Sequence, residues 1–136
     1  MKEMELRRDN YCFVCGKENP KGMHLSFHRE NGKVKARFSL EKYYQGYDNV
    51  IHGGIISLIL DEAMAYLQNY EERFLTGKIT VKFYNPLLAG QEVIVTAEVK
   101  EEKKKIKITK AEMIRVADGK KIAEAEAIMF VKRETK

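Results

Sequence analysis

The feature that most constrains the fold of this 136-residue chain is a segment, from about Gly53 to Tyr70, that is apolar on nearly every side. Leucine, isoleucine, alanine and methionine dominate the segment and it contains no proline, a composition that favours an α-helix. A helix that is apolar almost all round has to be covered on most of its sides by other parts of the protein. The sequence therefore predicts one long, buried helix.

Alternating apolar and polar residues on both sides of this helix predict a β-sheet. Before the helix, two such runs are joined by an Asn-Gly turn: "MHLSFHRE", "ENGK" and "KVKARFSL". After it come four more: "ITVKFYN", "EVIVTAEVK", "KIKITKAEMIRV" and "KIAEAEAIMFVKR". Two strands, one helix and a four-stranded antiparallel meander predict an α+β fold in which a single sheet wraps around the helix.

Length, composition and charge narrow the class of protein. We expect one domain over residues 1–136, with residues 1–22 as an N-terminal extension and turn. The 25 Lys and Arg residues against 20 Asp and Glu give a formal charge of +5. This balance favours nucleic acid, anionic lipid or a phosphorylated cofactor such as coenzyme A, and a solvated Lys/Glu surface explains it equally well.

The start of the chain and its apolar runs bear on location. The first ten residues, "MKEMELRRDN", are charged, and no apolar run approaches the roughly 18 residues of a membrane span. We therefore expect no signal peptide, no membrane partner and a cytoplasmic location, where disulfides are rare.

A cysteine pair near the N-terminus raises the question of a zinc site, because Cys12-x-x-Cys15 is followed by His24 and His28. The two histidines fall on one predicted strand, roughly 13 Å apart. They cannot share an ion whose Zn–N bonds are about 2 Å long. One alternative combines both cysteines with one histidine and a ligand from another subunit. We predict no metal site and interpret the cysteines as small apolar thiols in a buried turn.

The predicted helix start carries Gly53 and Gly54 directly after His52. Without Cβ atoms, the glycines let another group approach the backbone closely. A helix N-terminus also presents unpaired N–H groups and positive partial charge. The combination suits a carbonyl oxygen that gains negative charge during acyl transfer. The alternative is that the glycines only relieve packing or a sharp bend.

An acidic pair, Asp61-Glu62, interrupts the apolar helix. A helical carboxylate is costly to bury without a partner. One interpretation is structural: the pair lies on a narrow exposed stripe or forms salt bridges. The other is functional: Asp61 serves as general base or nucleophile, with Glu62 as the second candidate. Gly53 and Asp61 are about 12 Å apart along one helix, so they cannot both reach one carbonyl group. Two antiparallel helices across a two-fold axis could bring them together, which predicts a homodimer with the site made twice.

The segment "HGGIISLILDEAM" resembles the corresponding part of the hot-dog-fold acyl-CoA thioesterases, in particular the phenylacetic-acid-degradation-type and thioesterase-superfamily branch. Three other segments are similar to further parts of that pattern: "CFVCGKENPKGMHLSF", "YQGYDNVIHGG" and "LTGKITVKFYNPL". The resemblance implies a highly curved antiparallel sheet around one central helix, and assembly into homodimers and often homotetramers.

The resemblance also implies roles for particular residues. Asp61, nine residues after His52, matches the catalytic carboxylate, and the Gly53 amide, together with that of Gly54, matches the donor to the thioester oxygen. His52 matches the residue that shapes the loop at the helix start. Thr76 matches a hydroxyl that helps to place the water or the carboxylate.

Two positions depart from the pattern of that branch. Gly46 stands where some members have Asn or Gln, and Asn49 is our candidate to replace that side chain in binding substrate. Asn85 precedes Pro86 where an arginine is common, so the coenzyme A phosphates would have to meet other basic residues.

The sequence thus predicts a cytoplasmic acyl-CoA thioesterase that releases a carboxylic acid and free coenzyme A. It requires no cofactor, since coenzyme A enters only as part of the substrate, and we expect no nucleic-acid partner. One alternative is a non-catalytic acyl-CoA-binding protein with the same fold. Another is a zinc-bearing nucleic-acid binder, whose binding would be salt-sensitive. A hot-dog enoyl-CoA hydratase is disfavoured because the expected Asp-to-His spacing is not found.

Overall fold

The computed structural model describes residues 5–133, and this part of the chain folds into one antiparallel sheet and one α-helix. The spatial order of the strands is β1-β2-β4-β5-β6-β3, which leaves β1 and β3 at the edges. The elements are β1 (His28–Glu30), β2 (Lys33–Ser39), α1 (Gly53–Ala65), β3 (Glu72–Phe83), β4 (Glu92–Glu102), β5 (Ile106–Arg115) and β6 (Lys121–Arg133). The predicted α+β architecture is confirmed.

Helix α1 packs against strands β2 to β6, so the sheet wraps around it as its apolar composition requires. Five of its residues are buried: Ile56, Ile59, Leu60, Ala63 and Met64. The facing strands supply alternate buried residues, among them Val93 and Val95 on β4. Burying each large aliphatic side chain contributes about 1.5–3 kcal/mol, so this contact between helix and sheet holds the fold together.

Helix α1 ends at Ala65, five residues before the predicted end at Tyr70. Gln68 and Asn69 explain the difference, because polar side chains that bond to nearby backbone compete with helix continuation. The Gln68 side chain accepts a hydrogen bond from the Phe74 amide, and Asn69 accepts one from the Glu71 amide. These bonds turn the chain into β3, so the predicted C-terminal boundary of the helix is wrong.

The strand predicted over residues 23–30 is only partly formed. Met23, Leu25 and Phe27 are buried, as their alternation predicts, but only His28–Glu30 pairs as a strand. His24 adopts a positive φ of 56°, which interrupts the extended backbone. The Met23 amide instead donates to the carbonyl of Phe13, and thus to the cysteine turn.

The hairpin between β1 and β2 forms at the predicted Asn-Gly pair. Asn31 and Gly32 have φ values of 52° and 76°, the two positive values that a tight hairpin turn requires. Within residues 5–133, no helix is both long enough and apolar enough to cross a lipid bilayer.

Candidate active site on the central helix

The middle of α1 places Asp61 next to Thr76 on edge strand β3. The Thr76 hydroxyl donates a hydrogen bond of 2.7 Å to Asp61 Oδ1, and both residues are half-buried. A short bond to a carboxylate is stronger than one between neutral groups, so it holds the carboxylate in one orientation. The structure thus brings together two of the predicted site residues.

A β-bulge in β3 aims Thr76 at the helix. The pairing of β3 with β6 shifts register between Thr76 and Lys78, and Gly77 occupies the shift. A Cβ on Gly77 would lie 2.3 Å from Cε2 of Phe130, whose ring covers this position. Bulges commonly redirect a side chain beside a functional site. The glycine and the aromatic ring therefore form the local structure that presents the threonine.

A second group of predicted residues meets at the start of α1. His52 caps the helix, since its Nδ1 accepts a hydrogen bond of 2.8 Å from the Gly54 amide. That bond occupies one of the two amides expected to serve as donors. Among residues 5–133, no hydrogen-bond acceptor reaches the Gly53 amide. Gly53 is therefore the amide at this helix start that can donate to a ligand.

The loop before the helix explains one departure from the family pattern. A Cβ on Gly46 would lie 3.3 Å from Cδ2 of His52, so glycine lets the imidazole ring pack close to the loop. Asn49 has a φ of 62° and its amide donates to the side chain of Gln45. The backbone of Asn49 thus shapes the loop, and its side chain lies on the surface.

The two groups of predicted residues are apart within one chain. Gly53 and Asp61 are separated by eight residues of continuous helix, or about 12 Å. Gly53 lies near the C-terminal end of β3, where a Cβ on it would lie 3.6 Å from the ring of Phe83. Asp61 lies near Thr76, seven residues earlier on the same strand.

Glu62, the other member of the acidic pair, faces a different part of the chain. Cys12 Sγ donates to Glu62 Oε2 at 3.4 Å, and Cys15 lies beside them. Burial raises the pKa of the Cys15 thiol far above its ordinary value, and the Glu62 carboxylate raises it further. Both cysteines are free and half-buried.

The histidines considered in the sequence do not join this cluster. His24 is exposed and its Nε2 lies 2.7 Å from the carbonyl oxygen of Asn19, and His28 is exposed on β1. The prediction from sequence missed that Glu62 is the residue that meets the cysteine pair. Its carboxylate could have indicated this contact, because an acidic residue in an apolar helix needs a polar partner.

One antiparallel sheet wrapped around a single helix, with its edge strand β3 directly after that helix, defines the hot-dog fold. Among the solved structures that share it is smu.793 of Streptococcus mutans, bound to acetyl-CoA, with a TM-score of 0.75 and 16% identity, covering 82% of this chain and 91% of that one. Another is the PaaI protein of the Escherichia coli phenylacetic acid degradation operon, with a TM-score of 0.72 and 19% identity, covering 82% of this chain and 80% of that one. The hot-dog fold that the sequence resemblance implies is therefore confirmed.

Sequence comparison also gives a likeness at low identity. Acyl-coenzyme A thioesterase 13 of Homo sapiens is 24% identical over 96 residues, which cover 68% of this chain and 69% of that protein. No family model matches the chain.

Proposed function

We propose that this protein is an acyl-CoA thioesterase, which hydrolyses a thioester to a carboxylic acid and free coenzyme A. The observation that carries the proposal is the Asp61 carboxylate, held by Thr76 in the middle of a largely apolar helix. Supporting it are a fold shared with a protein that binds acetyl-CoA and a distant sequence likeness to an acyl-CoA thioesterase.

The chemistry follows from a carboxylate base and a backbone donor. Asp61 takes a proton from water as the water oxygen bonds to the thioester carbonyl carbon. The Gly53 amide, at the positive end of the helix, donates to the carbonyl oxygen as it gains negative charge. The C–S bond then breaks, and the proton passes to the sulfur of the leaving coenzyme A. In the nucleophilic version, Asp61 bonds to the carbonyl carbon, the C–S bond breaks and coenzyme A leaves as the thiolate. Water then hydrolyses the mixed anhydride, which releases the carboxylic acid and the Asp61 carboxylate, and the remaining proton passes to the thiolate.

A homodimer would unite these two groups. Strand β3 is a sheet edge, and an edge strand presents unpaired backbone groups to a second chain. Leu75 and Phe83 on β3, and Phe130 on the neighbouring β6, are each more than half exposed. Such apolar surface beside an unpaired edge favours burial against another copy of the chain.

Antiparallel pairing of two β3 strands also gives the right geometry. A two-fold axis near residues 79–80 would place Phe83 of one copy opposite Thr76 of the other. Because Gly53 lies by Phe83 and Asp61 by Thr76, the donor of one chain would then face the carboxylate of its partner. The proposed assembly is a homodimer with two equivalent sites, and pairs of dimers would form a homotetramer.

A panel of acyl-CoA thioesters, assayed by the release of free thiol, tests the proposal. We expect Asp61→Asn to lower turnover by at least about a hundredfold with the fold intact, as loss of a general base does. Glu62→Gln is the matched control and should keep at least about tenfold more activity than Asp61→Asn. Near-normal hydrolysis by Asp61→Asn would refute the role of this residue.

Two further results would argue against the proposal. Binding of acyl-CoA without turnover across the panel would favour the non-catalytic alternative. A monomer at assay concentration, measured by sedimentation, would remove the shared site, because one chain cannot bring Gly53 and Asp61 together.

A further inference from the structure

The cluster of Cys12, Cys15 and Glu62 lies outside the proposed active site and joins two distant parts of the chain. One ligand-type atom from each residue, a sulfur or a carboxylate oxygen, lies within 4.8 Å of the other two. Glu62 lies in the middle of α1, 50 residues after Cys12. The tertiary structure therefore brings together three groups, each of which can bind a metal ion.

The spacing of the atoms matches a tetrahedral metal centre. Zinc binds cysteine sulfur at about 2.3 Å and carboxylate oxygen at about 2.0–2.2 Å, so two such ligands of one tetrahedral ion lie about 3.5 Å apart. The Cys12 Sγ to Glu62 Oε2 distance is 3.4 Å. An ion could therefore enter with little movement of these two side chains.

The turn that carries the sulfurs is held by its own backbone. The Gly16 amide donates to the Cys12 carbonyl at 2.8 Å, and a Cβ on Gly16 would lie 2.3 Å from the Cys12 nitrogen. Val14, between the cysteines, is 2% exposed, and its carbonyl accepts from the Leu25 amide at 2.9 Å. Because the turn is closed by a glycine and anchored in the core, both sulfurs are held on the side that faces the helix.

The donor set selects the class of ion. Two thiolates and one carboxylate carry a charge of −3, which a divalent cation reduces to −1. Thiolate sulfur favours zinc and similar ions over magnesium and calcium, which prefer oxygen. Three protein ligands leave the fourth tetrahedral position to water.

We propose that Cys12, Cys15 and Glu62 bind one zinc-class divalent cation per chain, with water as the fourth ligand. On binding, each thiol releases its proton to solvent and the sulfur becomes the ligand. The ion would tie the N-terminal turn to the centre of α1. This site is chemically separate from Asp61 and Thr76, so its test does not depend on thioester hydrolysis.

Cobalt and zinc ions are the probes. The full-length chain, purified with a reductant and stripped of metal, is titrated with Co²⁺ while absorbance is recorded, and Zn²⁺ is then added in competition. We expect one Co²⁺ per chain, a thiolate-to-cobalt charge-transfer band in the near ultraviolet, and loss of that band when Zn²⁺ displaces the cobalt.

Variants identify the ligands. Removing an outer partner of a metal ligand already costs about 10–100-fold in affinity, so Cys15→Ser should weaken binding by at least about a hundredfold. Glu62→Gln, which has nearly the same shape as the wild-type residue, should weaken it by at least about tenfold. His24→Gln is the matched control, since His24 bonds to Asn19 away from the cluster, and it should bind Co²⁺ as the wild type does.

Three results would overturn the proposal. The first is a reduced wild-type chain that shows no charge-transfer band at millimolar Co²⁺. The second is equal affinity in Glu62→Gln and wild type, which would remove Glu62 from the site. The third is a Cys12–Cys15 disulfide in protein purified with reductant, which would assign the pair to redox chemistry. The wild-type titration stands by itself if a cysteine variant fails to fold.

Discussion

Asp61 and Glu62 are neighbours in sequence, yet they lie in different environments. Successive residues of a helix point about 100° apart, so the two carboxylates leave α1 in different directions. Asp61 meets the Thr76 hydroxyl beside the sheet edge, and Glu62 meets the thiols of the N-terminal turn. Neither lies on an exposed stripe, since both are half-buried. An acidic pair in an apolar helix can therefore mark two sites.

The partners differ in what they allow each carboxylate to do. A hydroxyl donates one hydrogen bond and leaves the second carboxylate oxygen available, which suits a base or nucleophile. A thiol can lose its proton and become a ligand itself, which suits a shared cation. The difference lies in the partner supplied by the fold, because both side chains carry the same functional group.

The largest expected effect concerns a third carboxylate, which lies outside both proposed sites. Glu72 is 2% exposed and pairs with Lys107 at 3.1 Å. Lys107→Met should lower the free energy of unfolding by about 3–5 kcal/mol, because the buried Glu72 carboxylate loses its charged partner and keeps, among residues 5–133, only the hydrogen bond from the Asn69 amide. Equilibrium denaturation measures this change. The control is Lys100→Met, whose exposed pair with Glu126 should contribute less than about 1 kcal/mol. If both variants lost the same free energy of unfolding, the buried Glu72–Lys107 pair would not be the more stabilising of the two pairs.

The next effect tests the Asp61 side of the comparison. Thr76→Val removes the hydroxyl and should lower turnover about ten- to a hundredfold, since a hydrogen bond to a charged group contributes about 1.5–3 kcal/mol. Thr76→Ser should restore most of that loss. Thr96→Val makes the same change on interior strand β4, away from the proposed β3 interface, and should leave thioester hydrolysis near the wild-type rate. A slow Thr96→Val enzyme would mean that loss of a sheet hydroxyl in general, and not loss of the bond to Asp61, is responsible.

A smaller effect tests the N-terminal cysteine turn, which contacts Glu62. Gly16→Ala places a Cβ against backbone atoms of Cys12 that cannot move without opening the turn, and should destabilise the fold by about 1–3 kcal/mol. Gly53→Ala is the contrasting variant, because its Cβ would make only ordinary contacts with the Phe83 ring. Thermal unfolding should shift for Gly16→Ala and stay near wild type for Gly53→Ala. A reversed order would show that the cysteine turn is not rigid.

The smallest effect concerns Asp118, an exposed carboxylate that serves as a reference for the two helical ones. Hydrogen bonds from Arg115 lower the pKa of Asp118 from 3.8 to about 2. Because the folded-state pKa is the lower one, the stabilisation is complete above about pH 3.8 and is lost as the pH falls through about 2. The stability advantage of wild type over Asp118→Asn should therefore shrink across that range. A difference that does not change with pH would contradict this pairing.

Local patterns predicted most of the fold because the responsible interactions are local. The sequence correctly places the Asn31-Gly32 turn, the start of α1 at Gly53 and strands β4 to β6. It places β3 wrongly, because that strand is Glu72–Phe83 and begins seven residues before the predicted run 79–85. The errors occur where a side chain bonds to nearby backbone. Gln68 helps to end the helix early, and His24 breaks the first strand by its positive φ.

The candidate site was predictable to a different degree at each position. The pairing of Asp61 with Thr76 follows from the family resemblance, and no periodicity in the sequence could have placed a hydroxyl of β3 against the helix. The occupied amide of Gly54 depends on the ring position of His52, which only coordinates reveal. The contact of Glu62 with Cys12 spans 50 residues and depends on how the N-terminal turn packs.

The sequence by itself indicated that a helix apolar on nearly every side would be enclosed by a curved sheet, because one sheet built from six alternating runs can cover most sides of such a helix. The residue patterns left open what each carboxylate of that helix would touch: the family resemblance indicated Thr76 for Asp61, and only the tertiary structure decided that Glu62 meets Cys12. The direction of a side chain follows from the helix, but the group that meets it comes from residues far along the chain. That is why one acidic pair contains both a candidate base and a candidate metal ligand.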